Sequence, residues 1–450
     1  MTSFITLFNK NKSMRIADNF LKSIVRINPG EGRALLWSWL YIFSLFLAYY
    51  VLRPIREEMG VAGGVKNLPW LFSGTLIAMI LINPIFALVV KHWPREKFIA
   101  ISYRFFMFNI VIFILLLSFV TSEQRVWIGR AFFIWVSVFN LFVISVFWSF
   151  VVDIFSADQA KRLFAFLASG ATVGGIVGSS ITSVLVEIIG QNWLLVLSII
   201  LLEFAVFAAR RLSSISDSFK LPIEQEEAHR PLKGSLFSGI IHTFRSPYLL
   251  GIAIFILCYA ITSTILYFQQ ATIAAQNFTD SSSRTAFFAS INLWINGITL
   301  VIQLFLTGRI IAWIGIAFTL CAMPLLSILG FSGLAAFPSI GIFIVFQVAR
   351  SVSNYALTRP AREVLFSAVS REDRYKTKNF IDTVVYRTGD QVAAWSYAGM
   401  LAVGLSLTGI AVVAIPLSAA WLLLGLWLGQ RQEKWQRHSS KEDLVEALHD

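Results

Sequence analysis

Apolar residues in this chain come in runs near twenty long, divided by short polar stretches, and the pattern persists almost from end to end. The runs fall at 34–52, 69–90, 98–120, 131–152, 163–186 and 193–209. They resume at 248–268, 285–307, 312–333, 340–358, 379–403 and 408–428. A helix of about 20 apolar residues matches the hydrocarbon thickness of a bilayer. Each run therefore predicts one membrane-spanning helix, and the whole predicts an all-α membrane protein with twelve transmembrane helices in two six-helix halves. The longest polar interval, 210–247, carries a Ser-rich segment and the acidic run 224–227. It reads as a cytoplasmic linker between an N-terminal half, 34–209, and a C-terminal half, 248–429. The flanks, 1–33 and 430–450, read as cytoplasmic tails, the first of them basic.

Loop charge tests the count. With the N-terminus inside, 28 of the 37 Lys and Arg fall in cytoplasmic segments and 6 fall on the opposite side. The remaining three, Arg104, Arg350 and Arg387, lie inside spans. Such a bias orients a multi-pass protein with both termini in the cytoplasm, and one missed helix would scramble it. The same bias accounts for the net charge of +12 without nucleic acid. Composition agrees: 57% of residues are hydrophobic, only 14% are charged, and the mean hydropathy is +0.71. Ordinary soluble domains carry about 25% charged residues. Cys258 and Cys321 sit in apolar runs, and the five histidines show no metal-ligand spacing. No metal, cofactor or enzymatic nucleophile is indicated. Residues 1–33 lack the apolar core and small-residue cleavage site of a signal peptide.

The two halves share a feature order. Asp153-Ile154-Phe155-Ser156-Ala157 closes the fourth run, and Glu363-Val364-Leu365-Phe366-Ser367-Ala368 follows the tenth. Basic pairs come after both, Lys161-Arg162 and Lys376/Lys378, and each leads into a Gly-containing helix. This points to duplication and to the major-facilitator plan, in which substrate binds at the midplane between halves. Gly170, Gly174 and Gly178 recur every four residues in the fifth run, a stripe that suits close helix packing.

A charge at the bilayer centre costs roughly 2.5–3.5 kcal/mol on insertion scales, so intramembrane charges are candidates for function. Arg53 and Arg56 share a helix face near the end of the first span, followed by Glu57. Pro54 and Gly60 leave open that a loop starts there. In the eleventh span Arg387 and Asp390 can pair at i, i+3, while Asp382 has no local partner. Arg350 lies deep in the tenth span and Arg359 nearer its edge. Arg104, Asp153, Glu187 and Glu203 sit nearer helix ends, where snorkelling accounts for them. The candidate substrate-binding residues are Arg53, Arg56, Glu57, Arg350, Asp382, Arg387 and Asp390.

Three segments carry a family resemblance: YYVLRPIREE at 49–58, FWSFVVDIFSADQAKRLFA at 147–165, and RPAREVLFSAVSREDRYKTKNFIDTVVYRTG at 359–389. Together they resemble the ATP:ADP antiporter family of bacterial and plastid nucleotide transporters. The first is similar to its L-R-x-x-K-D element, with Arg56 in the lysine position. The third is similar to its P-x-K-E … K-x-K … D-x-x-x-x-R-x-G signature, through Pro360, Arg362, Glu363, Lys376, Lys378, Asp382, Arg387 and Gly389. One departure stands out: after the glycine the exchangers carry lysine, whereas this chain carries Asp390, which reverses the local field offered to a phosphate. The resemblance implies exchange of anionic, phosphorylated metabolites, ATP and ADP being the inherited pair, by a monomer in the lipid bilayer. The alternative is a proton-coupled transporter of a non-nucleotide small molecule, with Asp382 or Asp390 as the titrating acid.

Overall fold

Helices account for all regular secondary structure among the described residues, which in this computed structural model are 31–92, 95–155, 157–216, 243–366, 377–378 and 380–446. Most of the N-terminal tail, the linker core at 217–242, Ser156, Ser367, Ala368, Lys376 and the last four residues lie outside them. In chain order come α1 (Glu31–Ala62), a 3-10 turn (Val65–Asn67), α2 (Leu68–His92), α3 (Arg95–Phe119), α4 (Ser122–Ile154) and α5 (Ala157–Ser216). There follow α6 (Pro247–Asn277), α7 (Ser281–Phe305), α8 (Thr307–Ala336) and α9 (Ile340–Ser353). A π-helix (Asn354–Thr358) joins α9 to α10 (Arg359–Leu365), and a second (Ile381–Val385) opens α11 (Tyr386–Ala402) before α12 (Leu407–Glu446). Ten segments among the described residues are long and apolar enough to cross a membrane.

The helices depart from the apolar runs where the backbone needs glycine or where polar side chains find partners. The first run ends at 52, yet α1 continues through Pro54 to Ala62. Its polar extension is held by side-chain contacts, including Arg56 to Ser137 at 3.0 Å and Glu58 to Arg284 at 2.8 Å. The fifth and sixth runs merge into α5, broken at Gly190 with φ 77°. In α8 the break is Gly315, φ 76°. Both angles are in the left-handed region, which costs glycine nothing.

The described chain forms two compact units. The first holds 31–56, Met79–Ile128 and 135–216; the second holds Glu57–Ala78, Gly129–Ile134 and 243–446. In the first unit the glycine stripe of α5 lies directly on α1. A Cβ at Gly174 would sit 2.5 Å from the Phe43 carbonyl oxygen, and one at Gly178 would sit 2.7 Å from that of Leu47. Tyr41 and Tyr103 join α1 to α3 by a buried hydroxyl pair 2.6 Å apart. Lipid tails are as apolar as leucine, so such steric fit, not hydrophobic exclusion, holds membrane helices together.

In the second unit one apolar core gathers Phe268, Phe331, Phe343 and Tyr397, and another gathers Phe255, Leu320 and Trp421. Glycine again sets the approach: a Cβ at Gly429 would lie 2.2 Å from Ala317 Cα, and one at Gly389 would lie 2.6 Å from Ala260 Cβ. These contacts fix α12 on α8 and α11 on α6.

Helix propensity favours Gly→Ala by about 1 kcal/mol where space permits, whereas an overpacked methyl costs about 1–3 kcal/mol. Gly174→Ala should therefore lower the Tm of the purified protein. Gly297→Ala, where a Cβ meets nothing within 4 Å, should leave it unchanged or raise it. Equal behaviour of the two variants would contradict this packing account.

Candidate substrate-binding site

Several polar side chains of the second unit gather around α6, on Tyr259, Thr262 and Ser263 along one face and on Thr264 along another. Arg350, near the end of α9, is 4% exposed. Its Nε donates to Ser327 Oγ at 2.9 Å, Nη1 to Ser263 Oγ at 3.0 Å and Nη2 to Thr262 Oγ1 at 2.7 Å. The guanidinium also lies over the Tyr259 ring at 5.7 Å and the Trp421 ring at 6.0 Å. Hydroxyl dipoles and ring faces solvate this cation; no carboxylate pairs with it among the described residues. Such an ion in a low-dielectric interior is costly without a counter-charge.

Nine residues on, Arg359 follows the π-helix. A π-turn leaves carbonyls that an α-helix would satisfy, and side chains take them here: Gln303 donates to the Tyr355 carbonyl at 3.1 Å and Thr307 to that of Ala356 at 2.8 Å. π-bulges of this kind concentrate at functional sites. Arg359 lies over the Tyr355 ring at 4.6 Å, and Asn354 Nδ2, five residues before it, donates to the Tyr259 hydroxyl at 3.0 Å. The Tyr259 and Tyr386 rings are 5.9 Å apart, and Arg387 lies over Tyr386 at 5.9 Å.

The missing side chain at Gly389 brings α11 against α6 and so brings Asp390 to Thr264, whose Oγ1 donates to Asp390 Oδ1 at 3.0 Å. The other carboxylate oxygen takes Arg387 Nη1 at 3.3 Å, with the arginine side chain 39% exposed and the aspartate 8%. The i, i+3 pairing anticipated from spacing is present. It engages one prong of the guanidinium only.

Asp382, without a neighbour in sequence, meets Arg362 of α10 at 3.3 Å, and Lys378 pairs with Glu363. Residues quoted for the family resemblance thus bind one another across helices. In the first unit Arg53 lies over the Tyr50 ring at 5.6 Å and Arg56 holds Ser137. Glu57 belongs to the second unit and accepts the Tyr267 hydroxyl. Arg104 and Glu203, read from sequence as snorkelling residues, form a two-pronged pair at 2.6 and 3.3 Å. The Asp153 side chain is outside the described set.

Sequence reasoning passed over Tyr259, Tyr355 and Tyr386 and placed Arg359 merely at an edge. A signal was available: the chain has 40 Phe against 11 Tyr, so a tyrosine in an apolar helix marks a need for its hydroxyl. Tyr355 and Arg359 also stand at i, i+4, which puts them on one helix face.

No family model matches the chain. Solved structures with the same fold include the nucleoside transporter NupG, with TM-score 0.59 and 14% identity over 90% of this chain and 100% of that one. A bacterial homologue of the iron transporter ferroportin gives TM-score 0.60 at 11% identity, over 90% and 98%. The peptide transporter POT gives 0.57 at 11%, over 90% and 95%. Ten apolar segments long enough to cross a membrane among the described residues, in this fold, mark a multi-pass integral membrane protein. It is a distant relative of the ADP,ATP carrier proteins. That of Chlamydia muridarum, carrier protein 1, is 23% identical over 338 residues, 66% of this chain and 64% of the relative. Carrier protein 1 of Chlamydia trachomatis is 22% identical over the same shares. The chain thus spans a little under two thirds of the length of these relatives. Carrier protein 2 of Chlamydia pneumoniae aligns over 91% of this chain and 90% of its own length at 21% identity.

The Arg362–Asp382 contact predicts a coupling. Partly exposed ion pairs contribute about 0.2–1 kcal/mol. Arg362→Asp and Asp382→Arg should each lower the Tm, and the double swap should recover most of the loss. Additive losses in the double variant would show that the pair carries no interaction energy.

Proposed function

We propose that the chain is a twelve-span secondary carrier exchanging anionic, phosphorylated metabolites by alternating access, with ATP and ADP, the molecules named in its relatives, as the first pair to test. The observation that carries this reading is the gathering of Arg350 and Arg387 on one tyrosine pair, with Arg359 over Tyr355 at the end of the π-helix whose Asn354 reaches the same pair, and with Asp390 as the one carboxylate in contact among the described residues. Arginine suits such a cargo because its planar fork matches phosphate oxygens and stays charged when desolvated. Arg53 and Arg56 contribute positive charge, and Glu57, Asp382 and Asp390 are the acids that hold or release basic partners. An empty cationic site resists closure around unpaired charge, so reorientation favours the loaded carrier. That is the physical basis of exchange over uniport.

Division of α5 at Gly190 supports the count of twelve, as does the helix through Ala402, whose π-segment interrupts it. The reading assigns six spans to 34–209 and six to 248–429, joined by 210–247. The tails 1–33 and 430–450 face the cytoplasm of a bacterial inner membrane. The carrier works as a monomer.

A second reading, proton-coupled transport of a non-nucleotide compound, is favoured by one observation. Asp390 is buried and bound to both Thr264 and Arg387, as a carboxyl would be that alternates between protonated and arginine-paired states.

One assay separates the two. Purified protein in liposomes preloaded with ADP should take up labelled ATP, with rates unaffected by an imposed pH gradient. Uptake that requires the gradient and is lost in Asp390→Asn would replace exchange with proton coupling. No exchange with any phosphorylated counter-substrate would overturn the proposal.

A further inference from the structure

The charge inventory of the second unit allows the cargo to be specified beyond its being anionic. Arg350 is held by three hydroxyls and two aromatic faces. Arg359 lies over the Tyr355 ring, directly after the π-helix. Arg387 lies on Tyr386 and touches Asp390. Neither Arg350 nor Arg359 has an ion-pair partner among the described residues. Arg362 of α10 and Lys378 are already engaged by Asp382 and Glu363. Among the described residues these three guanidinium groups thus meet one carboxylate, the Asp390 that Arg387 touches, and Arg350 and Arg359 carry positive charge without an ion-pair partner.

Tyr259 is the hub of this arrangement. Its ring faces Arg350, its hydroxyl takes Asn354 of the π-helix that Arg359 follows, and its neighbour Tyr386 carries Arg387. The three cations differ in access: Arg350 is sealed, Arg387 is partly exposed and Arg359 is exposed. A buried cation fixed by hydroxyls sets the field. The exposed one, over Tyr355, is the one a ligand can reach. Coulomb attraction grows with ligand charge and is strengthened where water is excluded, so an accessible arginine beside a sealed one discriminates by ligand charge.

We infer that this cluster selects a group bearing two negative charges, such as the terminal phosphate of an organic phosphate, and that Arg359 is the specificity-determining residue that distinguishes it from a singly charged ester. The inference rests on the reading of the chain as a carrier of phosphorylated metabolites and deepens it. Asp390 serves as the resident counter-anion of Arg387, leaving the remaining prongs of that guanidinium open to the cargo.

The test compares methyl phosphate, a dianion at pH 8, with dimethyl phosphate, a monoanion of the same chemistry. Both are titrated calorimetrically into the purified full-length carrier. Wild type should bind methyl phosphate at least about tenfold more tightly. Arg359→Gln should weaken methyl phosphate by about tenfold or more, change dimethyl phosphate little, and bring the two affinities within about threefold. Arg359→Lys should retain part of the preference. An unchanged Tm of the unliganded variants excludes misfolding as the cause. Equal binding of the two probes by wild type, or an unaltered preference in Arg359→Gln, would overturn the inference. So would failure of both probes to bind a carrier that nevertheless exchanges phosphorylated metabolites. If exchange in preloaded liposomes is absent as well, the broader reading fails with it.

Discussion

A guanidinium held inside an apolar helix bundle without a carboxylate is the constraint on which the rest of the second unit depends. Arg350 is solvated by Thr262, Ser263 and Ser327. Those hydroxyls must come from two helices, α6 and α8, at once. Tyr259 and Trp421 complete the shell with ring faces. Replacement of a buried ion by a well-packed apolar side chain is often neutral or stabilising in other proteins. The presence of such an ion here, with no counter-charge among the described residues, therefore argues for a task that stability does not explain.

The small residues make that shell possible. Gly389 lets α11 approach Ala260 so that Asp390 reaches Thr264 while Arg387 stays over Tyr386. Gly429 does the same for α12 against Ala317, and Trp421 of that helix lies under Arg350. Each π-helix adds one residue to a turn and so rotates the helix after it relative to the helix before it. Arg359 comes directly after one and Tyr386 directly after the other. Side chains of Gln303 and Thr307 satisfy the carbonyls that the first of them frees, so the irregular backbone is supported at membrane depth by protein groups.

Much of this was legible in the sequence because the bilayer enforces simple rules. Apolar run length gave the helices of the first five spans and the break near Gly190, and the Gly170/Gly174/Gly178 stripe identified a close contact. The spacing of Arg387 and Asp390 foretold their pairing. What escaped was non-local or irregular. Asp382 finds Arg362 on another helix, and Arg104 finds Glu203 ninety-nine residues away. Hydropathy averages over about 19 residues and so passes over a five-residue π-helix, which rearranges the very side chains that matter. The tyrosines were missed for a different reason. In a chain rich in phenylalanine they read as more aromatic bulk, and their value lies in hydroxyls whose partners only the fold brings near.

The central claim is that the protein binds phosphorylated anions through uncompensated arginine charge, and thermal stability of the purified carrier reports on it most directly. A ligand that binds only the folded state raises apparent stability by RT ln(1 + [L]/Kd). ADP and inorganic pyrophosphate should raise the Tm in a saturable manner. The shift should shrink as sodium chloride is raised, because salt screens the approach of charge to the exposed arginine. Adenosine, which lacks phosphate, should leave the Tm where it was. A shift with adenosine equal to that with ADP, or no shift with either phosphorylated compound at any salt concentration, would contradict the account.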